Sequence, residues 1–100
     1  MVVGVLRVDL RLFGVQSLKQ KRSQLSRILN RLRTNYPVSV AEVGCQDLLQ
    51  RAVLGVSMAA GSEAQINSVF HKLEEDIYQA GIAELINSDL EYLHYGEEFS

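Results

Sequence analysis

The stretch VVGVLRVDLRLF, residues 2–13, decides the fold. It opens apolar and then alternates, with Leu6, Val8, Leu10 and Leu12 set against Arg7, Asp9 and Arg11. A period of two in a β-branched setting predicts a half-buried strand. Gly14 ends it, and from Leu18 the period changes. Leu25, Ile28, Leu29, Leu32 and Tyr36 gather on one side of a helix turning about 100° per residue. Ser17 is the expected N-cap, and Gln20 three residues on completes a capping-box pattern. Pro37 closes the helix, because proline disfavours helical geometry at the residue before it, Tyr36.

Beyond that helix, Val38–Val43 is short and β-branched and predicts a second strand. Gly44–Gln50 reads as a loop, and Arg51–Ala60 as a third strand with Ala52, Leu54, Val56 and Met58 on one face. Gly61 and Ser62 open a second helix with its own box, Ser62 and Gln65, and an apolar stripe of Ile66, Val69, Phe70, Leu73 and Ile77. Gly81 after Ala80 is its natural stop. From Ala83 to Tyr95, Ile86, Leu90 and Tyr92 alternate with Asp89 and Glu91, a fourth strand. The order βαββαβ predicts an α+β, ferredoxin-like domain over residues 1–95 with a C-terminal tail, 96–100. Right-handed crossovers place both helices on one face of a four-stranded antiparallel sheet, with the first and third strands in the middle. The expected core comprises Leu6, Val8, Leu10, Leu25, Leu29, Leu32, Leu54, Val56, Phe70, Leu73 and Ile77.

Composition narrows the function classes. The chain has 100 residues, 47% apolar and 22% charged, which suits one globular domain. No apolar run approaches the ~20 residues of a spanning helix, so no membrane association is expected. One cysteine, Cys45, excludes an internal disulfide or a cysteine-rich zinc site and fits the reducing cytoplasm. His71 and His94 lack a paired ligand spacing, and no glycine-rich phosphate loop of either common pattern occurs, so neither metal nor cofactor is expected. Cys45 has no evident base to make it a nucleophile. A net charge of −2 hides a split. Residues 1–51 carry nine Lys/Arg against three acids, and residues 52–100 one Lys against nine acids. A binding protein, not an enzyme, is the expectation, since a basic half steers anionic partners.

Three stretches, VGVLRVDLRL (3–12), SLKQKRSQL (17–25) and VSVAEVGCQDLLQRAVLGVSM (38–58), give the chain a further character. Together they resemble the YlxP-like family of small bacterial proteins of unknown function, and the resemblance runs from Met1 to about Tyr95. It implies a ferredoxin-like fold. Genes of the family often neighbour those for translation initiation and ribosome maturation, which implies an RNA- or ribosome-linked role. The chain departs from the pattern where members often carry histidine, at Gln16 and Cys45, and tryptophan, at Leu49. A histidine-based reaction or metal site in that family would therefore not be intact here.

Two surfaces are candidates for binding. Lys19, Lys21, Arg22, Arg27 and Arg31 line the first helix, whose free N-terminal N–H groups already favour anions, and predict contact with RNA or a ribonucleoprotein. Val3, Val5, Arg7 and Arg11, with Arg51 and Val53 beside them, line the uncovered sheet face and predict self-association as a homodimer or a protein partner. That face offers no aromatic for the base stacking by which RRM domains of this fold bind RNA. Glu42, Gln46, Asp47, Gln50 and Arg51 cluster on one hairpin, as a structural turn or a recognition site. Gly14-Val15-Gln16 is a remote parallel to the phosphate loop of acylphosphatases, without their following residues. Tyr92, Tyr95 and Phe99 form an aromatic tail expected to pack on an edge or a second chain.

Overall fold

A computed structural model describes residues 1–81 and 83–96. Its elements follow in the expected order: β1 (Val2–Leu12), α1 (Leu18–Asn35), β2 (Ser39–Gly44), β3 (Arg51–Ala60), α2 (Glu63–Ala80) and β4 (Ala83–His94). The strands form one antiparallel sheet in the order β2-β3-β1-β4, so β1 and β3 are central as the sequence predicts. Residue 6 sets the register, with Leu6 opposite Val56 on one side and Leu90 on the other. The even positions of β1 and β3 face the helices, and Leu6, Val8, Leu10, Leu12, Ala52, Leu54 and Val56 are buried there. This is the ferredoxin-like βαββαβ arrangement. Of the tail, Phe99 and its neighbours 97–100 lie outside the described residues.

Both helices start by the device their sequences announce. Ser17 Oγ accepts the N–H of Gln20 at 3.1 Å, and Ser62 Oγ that of Gln65 at 3.3 Å. Each glutamine reaches back one residue beyond the cap, to the N–H of Gln16 at 2.7 Å and of Gly61 at 3.1 Å. In α2 the buried line is Ile66, Phe70, Leu73 and Ile77. At Gly4 that helix lies so close to β1 that a Cβ would sit 2.3 Å from Ile66 Cγ2 and 3.0 Å from Phe70, which only glycine avoids. Gly81 ends α2 in the left-handed conformation, φ 72°.

α1 corrects the sequence reading at two positions. Its buried residues are Lys21, Leu25, Ile28 and Leu32. These follow one another at steps of four, three and four residues, a single line down the helix. Leu29, expected in the core, lies beside that line and is only half-buried. Lys21, expected in solvent, lies on it. Among the described residues no helix is long and apolar enough to cross a membrane.

Candidate functional site

The end of the molecule where β1 runs into α1 also carries the β2–β3 loop, and Lys21 joins the two. Its side chain is 3% exposed, and its Nζ donates to the carbonyl oxygens of Cys45 at 2.7 Å, Gln46 at 3.3 Å and Leu48 at 2.5 Å. Glu42 Oε2 stands 3.1 Å away as counter-charge. A buried ammonium needs this many acceptors, because desolvating it unpaired is prohibitive. The same cage stabilises the loop, where Cys45 takes a left-handed φ of 59° that a non-glycine residue rarely adopts. Lys21 is therefore a loop anchor, and its assignment to a nucleic-acid surface does not hold: its charge is spent inside the fold.

The hairpin cluster divides on the same ground. Glu42 serves Lys21, and Gln50 Nε2 donates to the Val15 carbonyl at 3.3 Å while its own carbonyl accepts from Leu12 at 2.9 Å. The side chains of Gln46 and Asp47 remain exposed. Along Gly14-Val15-Gln16, Val15 is fully buried and the Gln16 N–H is taken by Gln20. A donor that an anion loop of the acylphosphatase kind would present is thus already used.

The remaining cations of α1 fall into two groups. Arg31 is bound to Asp76 of α2, Nε to Oδ1 at 2.5 Å, and Arg33 donates to the Val40 carbonyl at 2.9 Å. Tyr36 joins the first of these: its hydroxyl lies 2.9 Å from Asp76 Oδ2 and 3.2 Å from the Lys72 carbonyl, and its one proton serves either. Burial first, then the hydrogen bond to Asp76 and the carboxylate's charge, raise the Tyr36 hydroxyl above its ordinary value of 10.0. Lys19, Arg22 and Arg27 are exposed and, among the described residues, make no ion pair or side-chain hydrogen bond. No acid occupies the first turn of α1. Of the five predicted RNA-contacting cations, then, three are exposed without an ion-pair partner among the described residues, one is neutralised, and one is buried.

On the uncovered sheet face, Arg7 is paired with Asp9 at 3.5 Å and Asp89 at 4.0 Å, and Arg11 with Glu84 at 3.6 Å. Arg51 stands directly opposite Arg11, and its Nε is buried without a hydrogen-bond partner. Val3 is half-buried, while Val5 is 41% exposed. Val53 departs from expectation at 6% exposed. An irregularity between Glu42 and Gly44 sets Gly44 opposite Val53, so close that a Cβ there would lie 3.2 Å from Val53 Cβ. The exposed apolar positions are instead Val43 at 60% and Leu93 at 56%. Val43 continues the alternation of Ser39 and Ala41 onto that face, beside Gly55, and Leu93 lies opposite Val3.

His71 pairs with Glu75 at 3.2 Å and His94 with Glu63 at 2.5 Å, and among the described residues no three His, Cys, Asp or Glu side chains gather as a metal site would need. Cys45 is a free, partly exposed thiol.

Comparison with known proteins agrees with this architecture. An uncharacterised protein, YlxP of Bacillus subtilis (strain 168), is 34% identical over 64 residues, covering 64% of this chain and 70% of its own. A solved structure described as the structural-genomics protein YJCS superposes with a TM-score of 0.61 at 8% identity, over 92% of this chain and 99% of that one. Similarity at that identity speaks for the fold alone. Residues 3–90 match the family described as protein of unknown function (DUF503), and the chain belongs to that family.

Proposed function

We propose that this protein is an RNA-contacting accessory factor, of the translation or ribosome-maturation machinery, that meets phosphates through the exposed N-terminal half of α1. The observation that carries the reading is the contrast among its cations. Arg7, Arg11 and Arg31 are each neutralised by a carboxylate, whereas Lys19, Arg22 and Arg27 have none among the described residues. Lys19 lies in the first turn of α1, where the helix dipole favours anions and opposes cations, an arrangement that gains free energy when a phosphate arrives, and Arg22 and Arg27 extend the positive charge along the helix. Lys19 and Arg27 are about 12 Å apart along the axis at 1.5 Å per residue, room for contact with two or three phosphates. No aromatic lies on this face of α1, so recognition is by charge and shape with little sequence preference.

The test replaces Lys19, Arg22 and Arg27 together by Gln and measures binding to a mixed-sequence single-stranded RNA at low salt. Lys21 is left alone because its loss would unfold the loop. A large loss of affinity in a normally folded triple variant is expected. Equal binding by variant and parent, or no binding by the parent, overturns the reading.

A second reading is supported by the uncovered sheet face. With Arg7 and Arg11 neutralised and Val5, Val43 and Leu93 exposed, that face suits a second copy of the chain. A mass that doubles with concentration, and reverts in Val5→Glu, would support this reading. A monomer at every concentration would exclude it.

A further inference from the structure

β4 is the longest strand and lies at the sheet edge, so one side of its backbone faces outward; among the described residues no element pairs with it there. Native proteins rarely leave twelve residues of edge strand uncovered unless charge guards it or a partner takes it. Alongside the edge, between β4 and α2, runs a groove. Its deeper part is a cavity of about 180 Å³ with Leu6, Phe70 and Leu90 in its walls and Asn67, His71, Glu74 and Ser88 around them. It continues along the seam past Glu75, Tyr78, Gln79 and Leu85. Among the described residues no lysine or arginine lines either part. On the other face of the same edge stand Asp89 and Glu91, beside Val5 and Arg7.

We propose that this edge binds an extended lysine- or arginine-bearing peptide as a fifth strand. Strand addition supplies main-chain hydrogen bonds, and alternate side chains of the added strand enter the groove. A groove with apolar walls and Glu74 at its margin fits a side chain with an apolar stem and a cationic head, which is a lysine or an arginine. The charge split of the chain points the same way, since the half that contains α2 and β4 carries nine acids and one lysine. A second copy of β4 is the poorer occupant. Antiparallel self-pairing would add a second Glu84, Asp89 and Glu91 to the seam and bring no cation beyond Arg7 and Arg11, which Asp89 and Glu84 already hold.

The probe is a synthetic decapeptide of alternating Lys and Thr, with an alternating Glu and Thr peptide as control, and the readout is amide exchange of β4 together with affinity. The Lys peptide is expected to slow exchange along Ala83–His94 and to bind at least about tenfold more tightly than the Glu peptide, a difference of about 1.4 kcal/mol. Glu74→Lys and Asn67→Lys, both on the α2 surface, are each expected to weaken it by about tenfold with an unchanged melting temperature. Equal affinity for the two peptides, protection of β2 in place of β4, no effect of Glu74→Lys, or a free protein already dimeric through β4 would each overturn the proposal. Changing Lys19, Arg22 and Arg27 to Gln leaves the peptide affinity intact, so the outcome is separate from that of the RNA reading.

Discussion

Lys21 shows how one side chain can be read in two opposite ways. In a row with Lys19 and Arg22 it looks like part of a basic patch. In a row with Leu25, Ile28 and Leu32 it is the first member of the buried line, and the structure follows that row. Its long apolar stem reaches across the helix-sheet seam and delivers the ammonium to three carbonyls and a carboxylate. Lys21→Met keeps the stem and removes the charge, leaving Glu42 and the loop carbonyls without their donor. A loss of about 3 to 5 kcal/mol in urea unfolding is expected, the range for breaking a buried ion pair. Adding Glu42→Gln to Lys21→Met should recover part of it, because the remaining buried charge is then gone too. A fully exposed Lys21 would give no measurable change.

At the scale of the helix, the hydrophobic line carries the stability and the polar end fixes how α1 lies against α2. Ile28→Ala is expected to cost about 2 to 5 kcal/mol and Leu29→Ala less, since only Ile28 is enclosed. Denaturation midpoints that ranked the two in reverse would put the other face of α1 against the sheet. The Tyr36–Asp76–Arg31 contact adds a pH dependence. Because the folded hydroxyl holds its proton more tightly than the unfolded one, its contribution is complete below the ordinary value of 10.0 and is lost as pH rises through the raised folded value. Between about pH 9 and about pH 11 the parent should therefore lose more stability than Tyr36→Phe, compared by urea midpoints. Parallel losses in the two proteins would show that the hydroxyl titrates alike in both states.

Over the whole molecule, the two halves of the sequence do not simply cancel. α1 gives one cation to α2, Arg31 to Asp76, and keeps three in water, while the acids gather along α2 and β4. Three phosphate contacts to a single strand predict that the logarithm of RNA affinity falls with the logarithm of salt at a slope of about −2. The variant lacking Lys19, Arg22 and Arg27 should show a slope near zero, measured by titration across a salt series. A parent slope near zero would place any RNA binding on another surface.

The alternation in residues 2–13, the two Ser-x-x-Gln starts and the stops at Pro37 and Gly81 determine the order and nearly the bounds of the elements, because period, capping and chain reversal are local properties. The central placement of β1 and β3 follows as well, from topology rules that leave few alternatives. Which charges remain available was decided only by the tertiary structure. Arg31 meets Asp76 across 45 positions of sequence, and Lys21 meets the loop carbonyls across 24 to 27. Leu29 yields its expected place in the core to Lys21, and Val53, expected on the open face, is buried, for the same kind of reason. A helical stripe is wide enough to admit either neighbour, and the irregularity that sets Gly44 opposite Val53 leaves no mark in a strand's composition. Burial depends on what arrives from elsewhere in the chain, and the local pattern does not contain it.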